Sequence, residues 1–175
     1  MVQQCTSFLL DALKNNRPGE GSLQTRLLEM NLLTAPQVAD AILGNQMFTH
    51  YDRVHEAQLC EKAGLLQRAL EHYTDIYDIK RAVVHTQMLN PEWLIGYFGS
   101  LSVDDSMECL RAMLQANVRQ NLQVVVKIAS KYHEQLGTNP LIELFESFKS
   151  FEGLFNALSH DYHVIYCDII MTSSV

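Results

Sequence analysis

Residues 61–73, EKAGLLQRALEHY, constrain the fold more than any other stretch of the chain. They read as one short helix closed by a glycine, with a second helix beginning at once. Gly64 accepts the left-handed backbone conformation that ends a helix, which a residue with a Cβ resists, so the chain reverses within very few residues. At the helical period Leu65, Leu66, Ala69, Leu70, Tyr73, Ile76 and Tyr77 fall on one face, leaving Gln67, Arg68, Glu71 and His72 largely outward. A lone helical hairpin cannot bury such a face. It needs a neighbouring hairpin, and a chain built of these units is an all-α fold, an α-solenoid of short antiparallel helix pairs in which each pair contacts those beside it.

The start signals of further helices agree. Cys5, Phe8, Leu9, Ala12 and Leu13 follow helical spacing, and residues 15–22, containing Arg17-Pro18-Gly19, form a linker. Leu23, Leu27 and Met30 continue helically. Thr34 and Gln37 have capping-box spacing ahead of Val38, Ala41 and Ile42. Asn90-Pro91 and Asn139-Pro140 each place a capping side chain before a proline at the first helical position, where no amide is missed. Ser102 opens another helix, with Asp104 and Asp105 at its positive end and Val103, Met107, Leu110 and Leu114 on its buried face. Leu122, Val125, Ala129, Tyr132 and Leu136 form a stripe closed by Gly137, followed by Leu141, Leu144, Phe145 and Phe148. About ten helices of ordinary length result, with no alternating strand pattern before residue 156. Residues 57–73 and 128–148 both read as helix, glycine turn, helix, a weak internal repeat.

Composition limits the chemistry. Of the 175 residues 47% are hydrophobic, enough for a continuous core. Thirteen basic against twenty acidic side chains give a net charge of −7 without a basic cluster, which argues against nucleic-acid or phosphate binding. Cys5, Cys60, Cys109 and Cys167 are widely separated and lack metal-ligand spacing, as expected of reduced intracellular thiols. The absence of a glycosylation sequon, a leader or a membrane-length apolar run gives a cytoplasmic expectation without membrane insertion.

Every candidate for chemistry has a structural explanation. His72, His85 and Cys60 could suggest zinc, but no CxxC or HExxH is present and thirteen residues separate the two histidines. His55-Glu56 and His133-Glu134 are adjacent pairs whose side chains diverge by about 100° on a helix, so solvated helix faces are expected. Cys109 could meet a histidine in space, yet nothing marks one. Trp93, Tyr97, Phe98, Phe145, Phe148 and Phe151 recur at helical spacing without interleaved basic residues and read as packing groups. Asp104-Asp105 and Asp75/Asp78 read as helix starts. The expectation is no catalytic residue, no metal site and no cofactor.

Several stretches resemble the clathrin heavy chain family: QTRLLEMN (24–31), APQVADAILGNQMFTHYDR (35–53), AQLCEKAGLLQRALEHYTD (57–75), YDIKRAVVHT (77–86), LNPEW (89–93), FGSLSVDDS (98–106), SKYHEQL (130–136) and LIELFESFKSFEGLF (141–155). The resemblance covers residues 2 to 155 in long blocks and is similar to a piece of the distal leg. It implies an α-solenoid of clathrin heavy-chain repeats acting as a stiff segment, with other heavy-chain legs as partners in the coat of coated pits and vesicles, on their cytoplasmic face. Nothing resembles the family's N-terminal β-propeller, which binds adaptors, or its proximal and trimerisation regions, which carry light-chain binding. After Phe155 the stretch NALSHDYHVIYCDIIMTSSV departs from the family pattern and is β-branched and aromatic. The expected organisation is a repeat segment over 1–155 and a divergent, poorly packed tail over 156–175, as in a truncated product. A free-standing α-solenoid adaptor that holds a peptide or helix in a groove is the alternative.

Stacked hairpins predict an elongated particle. Small-angle scattering is expected to give a radius of gyration above the roughly 16 Å of a compact globule of this length, and far-UV circular dichroism a mostly helical spectrum. A compact radius would overturn the solenoid expectation.

Overall fold

The computed structural model describes residues 2–150. The divergent tail expected over 156–175, with Phe151 and Phe155, lies outside the described residues. Among these the chain is all-α: α1 (Val2–Ala12), α2 (Gly21–Thr34), α3 (Pro36–Gly44), α4 (Arg53–Lys62), α5 (Leu66–His72), α6 (Ile76–Val83), α7 (Pro91–Tyr97), α8 (Val103–Ala116), α9 (Val118–Leu136) and α10 (Thr138–Ser147), with 3₁₀ turns at Pro18–Glu20, Thr86–Met88 and Phe98–Ser100 and no strand. Two compact units divide at Ala82 and Val83. In the first, α2 packs on α1, α3 and α4, and α4 packs on α5; in the second, α9 packs on α7, α8 and α10.

Gly64 closes α4 as its neighbours require. With φ +80°, it allows the Leu65 amide to donate to the Cys60 carbonyl at 2.8 Å and its own amide to donate to Glu61 at 3.1 Å, the paired bonds of a Schellman closure. The reversal brings His72 at the end of α5 to Tyr51 just before α4, so α4 and α5 run antiparallel. Leu66, Ala69 and Leu70 are buried in that pair. The same bond pattern ends α3 and α10, but the left-handed residues are Gln46 (φ 52°) and Lys149 (φ 55°). Neither carries a glycine signal, so these turns were invisible to a search for glycine.

Two expected caps are present: Asn90 accepts from the Trp93 amide and Ser102 from the Asp105 amide, each at 3.1 Å. A third, unexpected, is Asn117, which accepts from the Gln120 amide at 3.1 Å and separates α8 from α9 by one residue. Thr34 is not a cap. It remains in α2 with its hydroxyl donating to the Met30 carbonyl at 2.7 Å, and the break falls at Ala35 (φ −150°, ψ 69°), which Pro36 bars from the helical region. Asn139 is not a cap either. Gly137 (φ 88°, ψ 141°) ends α9 and starts α10 in one residue, so α10 begins at Thr138. α2 likewise starts at Gly21, so the last two residues of the expected 15–22 linker are helical.

The buried faces of the first helices are rotated from their apolar stripes. On α1 the buried residue is Thr6, while Phe8 is 72% exposed and Cys5 and Ala12 also face out. On α2 the buried set is Gln24, Leu27, Leu28, Asn31 and Leu32, leaving Leu23 exposed. Hydrogen bonds set this rotation: Thr6 Oγ1 donates to Asn31 Oδ1 at 3.2 Å, and Asn31 Nδ2 donates to the Leu27 carbonyl at 2.8 Å. Ala41 and Val103 are also exposed. The helix expected to run through Tyr77 instead stops at His72. Tyr73 is extended, Asp75 Oδ1 accepts from the Tyr77 amide at 2.8 Å to start α6, and Tyr77 is 73% exposed.

Leu70 is buried in the α4–α5 pair and Glu71 is exposed. Leu70→Asp is expected to cost several kcal/mol in thermal or denaturant melts, because it buries an unpaired carboxylate or forces local unfolding. Glu71→Ala loses a surface ion pair with Arg68 and is expected to cost no more than about 1 kcal/mol. Equal effects would mean that Leu70 is not a core residue.

A Cβ at Gly21 would lie 2.4 Å from the carbonyl oxygen of His50, whereas one at Gly96 meets nothing within 4 Å. Gly21→Ala must therefore displace backbone and is expected to destabilise. Gly96→Ala, within α7, should stabilise by about 0.5–1 kcal/mol. Melts of the two variants that moved in the same direction would contradict this close approach.

Candidate functional site

The two histidine–cysteine candidates are occupied by local structure. His72 Nδ1 lies 2.7 Å from the Arg68 carbonyl, which only accepts, so Nδ1 carries the proton. Nε2 then accepts from the Tyr51 hydroxyl at 2.5 Å. Burial lowers the His72 pKa, favouring this neutral form. Neither ring nitrogen is free for a metal. Cys60 is wholly buried on α4, and burial, with Glu56 nearby, pushes its thiol up to about 12; the thiolate that a metal or substrate would require is disfavoured. His85 belongs to the second unit and is exposed. Among the described residues no group of three or more His, Cys, Asp or Glu side chains could hold a metal ion.

The adjacent pairs diverge as helix geometry requires, with one departure from expectation. His55 turns to Glu29 of α2, Nε2 to Oε1 2.7 Å. Glu56, expected on a solvated face, is wholly buried instead. Successive helix positions differ by about 100°, so with His55 at the edge of the α2 contact its neighbour turns into the interface. His133 Nδ1 donates to the Ser130 carbonyl at 2.9 Å, and Glu134 is exposed. Cys109 is buried on α8 beside Tyr97, whose phenol is pushed up to about 12, mainly by burial.

The remaining charged groups knit helices together. Arg68 of α5 donates to Asp40 of α3 at 2.7 Å and to Glu71 at 2.9 Å. Arg81 of α6 donates to both oxygens of Glu61 on α4, at 2.8 and 2.7 Å, and to Asp78 at 2.7 Å. Tyr73 donates to the same Glu61 carboxylate, and burial with that carboxylate pushes its phenol up to about 12. Asp75 starts α6 and Asp78 pairs with Arg81; Asp105 lies in the first turn of α8. These are the structural roles expected of those acids.

The residues lining a shallow groove in the first unit include Thr25, Arg26, Glu29, His50, Tyr51 and Asp52. Thr25 donates to the Gly21 carbonyl and accepts from the Asp52 amide, while Asp52 caps α4. Trp93 stacks on Tyr97 with centroids 5.2 Å apart, and Phe98 and Phe145 are buried, so these aromatics pack rather than form a stacking platform. No helix among the described residues is long and apolar enough to cross a membrane.

Sequence reasoning missed the buried amides. Asn16 Oδ1 accepts from Gln24 Nε2 at 2.9 Å and from the Thr49 amide at 3.1 Å, and Gln24 Oε1 accepts from the His50 amide at 3.0 Å, tying the loop before α4 to the α1–α2 connection and to α2. In the second unit Thr86 Oγ1 donates to Asn121 Oδ1 at 2.5 Å, and Asn121 Nδ2 donates to the Met113 carbonyl at 2.7 Å. The available signal was position: Gln24 and Asn31 sit three and four residues from Leu27 and Leu28, on the stripe itself.

The paired helices, the engaged polar groups and the relatives agree. Residues 1–122 match the family model described as a region in clathrin and VPS. The human clathrin heavy chain 2 is 80% identical over 155 residues, covering 89% of this chain and 10% of the relative. The clathrin heavy chain of Drosophila melanogaster is 78% identical over 159 residues, 91% of this chain and 10% of the relative. A probable clathrin heavy chain of Schizosaccharomyces pombe is 57% identical over 155 residues, 89% of this chain and 9% of the relative. The chain thus spans about a tenth of the length of the relatives it matches. With most of its length matched by the family model and by such relatives, the chain belongs to the clathrin heavy chain family.

Proposed function

We propose that this chain acts as a non-catalytic structural segment of a clathrin heavy-chain leg, in the cytoplasmic coat of coated pits and vesicles that serves vesicle-mediated protein transport. The carrying observation is the 80% identity over 155 residues to a clathrin heavy chain, on a fold of short helix pairs joined by ion pairs such as Arg68–Asp40 and Arg81–Glu61. Its partners would be other heavy-chain legs. Nucleic acid is not among them, since the net charge is −7 and the arginines at the helix contacts are already paired. Residues 1–155 would form the repeat segment, and 156–175 a divergent tail. Light-chain and adaptor binding would reside outside this stretch.

The reading is tested by exchange. Residues 1–155 are placed in the Drosophila clathrin heavy chain in place of the matched region, and the purified chimera is assembled. Sedimentable coats with closed cages in electron micrographs are expected, as from the parent heavy chain. A chimera that is soluble and trimeric but yields no coats would refute the proposal. Including Leu70→Asp in the chimera should abolish assembly by breaking the α4–α5 pair.

A further inference from the structure

Glu56 is buried without a partner. No part of the residue reaches solvent, and neither Oε1 nor Oε2 has a hydrogen-bond partner, a condition no other buried side chain shares among the described residues. It sits in the first turns of α4, on the buried face with Ala57 and Cys60.

The surroundings supply negative charge, and no cation bonds to either carboxyl oxygen. Across from it on α2 is Glu29, paired with His55 of α4. Asp52 caps α4 and takes the His55 amide. Tyr51 is engaged with His72. From α5, Arg68 is held by Asp40 and Glu71, and from α6, Arg81 is held by Glu61 and Asp78. Arg26 pairs with Glu29 at 3.4 Å, with its side chain in solvent, and Arg53 is exposed. An ionised Glu56 would thus be a desolvated charge beside two others of its own sign, the costliest arrangement for a carboxylate.

We propose that Glu56 makes the seating of α4 on α2 proton-linked: the unit closes with this carboxyl neutral, and loss of its proton at alkaline pH opens α4 locally. Burial, followed by Glu29 and Asp52, pushes its pKa up to about 8, against about 4.3 for a glutamate in an unfolded chain. Between these values the folded state holds one proton more than the unfolded state. Stability is therefore full below about pH 4, falls as pH rises, and levels off once both states are ionised. His72 works in the opposite sense, since its lowered pKa adds stability as pH rises through its unfolded value. A comparison against a Glu56 variant cancels that contribution.

The test is denaturant unfolding of the full chain across pH for the parent, Glu56→Gln and Glu56→Leu. The ratio of the folding constant of the parent to that of either variant is expected to fall about tenfold per pH unit between about pH 5.5 and 7.5. Glu56→Leu has no unpaired polar atom at the site and keeps the comparison available if the glutamine variant does not fold. A ratio independent of pH would overturn the proposal. Cys60, one turn along the same face, reports the opening itself, because its thiol is buried and reacts only when α4 lifts. At pH 9 maleimide labelling of Cys60, assigned by peptide mass mapping, is expected to be at least about tenfold faster in the parent than in Glu56→Leu, with Cys109 of the second unit unchanged. Equal protection of Cys60 in both proteins would refute the opening.

Discussion

A helix of 7 to 14 residues, the length of all but one of the α-helices among the described residues, is not stable alone in water. Its apolar stripe must be covered by another helix before the backbone hydrogen bonds offset the lost entropy. Everything else in the structure follows from this requirement. Connections are short because a partner has to be reached quickly. Leu27, Leu28, Leu70, Leu110, Leu114, Leu141 and Leu144, all nearly inaccessible, contribute about 1.5–3 kcal/mol each by leaving water.

Apolar contact alone leaves helix rotation loosely defined, because one greasy face slides against another at little cost. The buried amides remove that freedom. Asn31 with Thr6 and Asn121 with Thr86 are two instances of one device, a threonine hydroxyl donating to an asparagine whose amide nitrogen is satisfied by a backbone carbonyl. A wrong rotation would strand these groups without partners, which costs more than the bonds themselves contribute. Glu56 is the exception that follows no such rule. It occupies a core position with neither oxygen satisfied, and the first unit tolerates it only as a neutral group.

Family membership rests on sequence identity, and the local geometry shows how the charged and polar groups of the segment are engaged. Identity near 80% places the segment among clathrin heavy chains, while the paired arginines, the doubly bonded His72 and the inaccessible Cys60 show where its chemically capable groups are used. They hold helix to helix. The ion pairs Arg68–Asp40 and Arg81–Glu61 join helices that are not consecutive, α5 to α3 and α6 to α4.

The amino-acid sequence by itself determined the helix-pair class, the reversal at Gly64, the caps at Asn90 and Ser102, and the family. These depend on backbone preference and local spacing, which act over one or two turns. Only the tertiary structure decided which side of α1 and α2 faces inward, that Gln46 and Lys149 take left-handed turns without glycine, that α5 stops at His72, and that Glu56 is buried. In each case a partner distant in the chain outweighs a local preference: Asn31 turns Thr6 inward, and α2 covers a carboxylate that the local pattern assigns to water. A solvated pattern and a buried one can share the same residues when the deciding group lies on another helix.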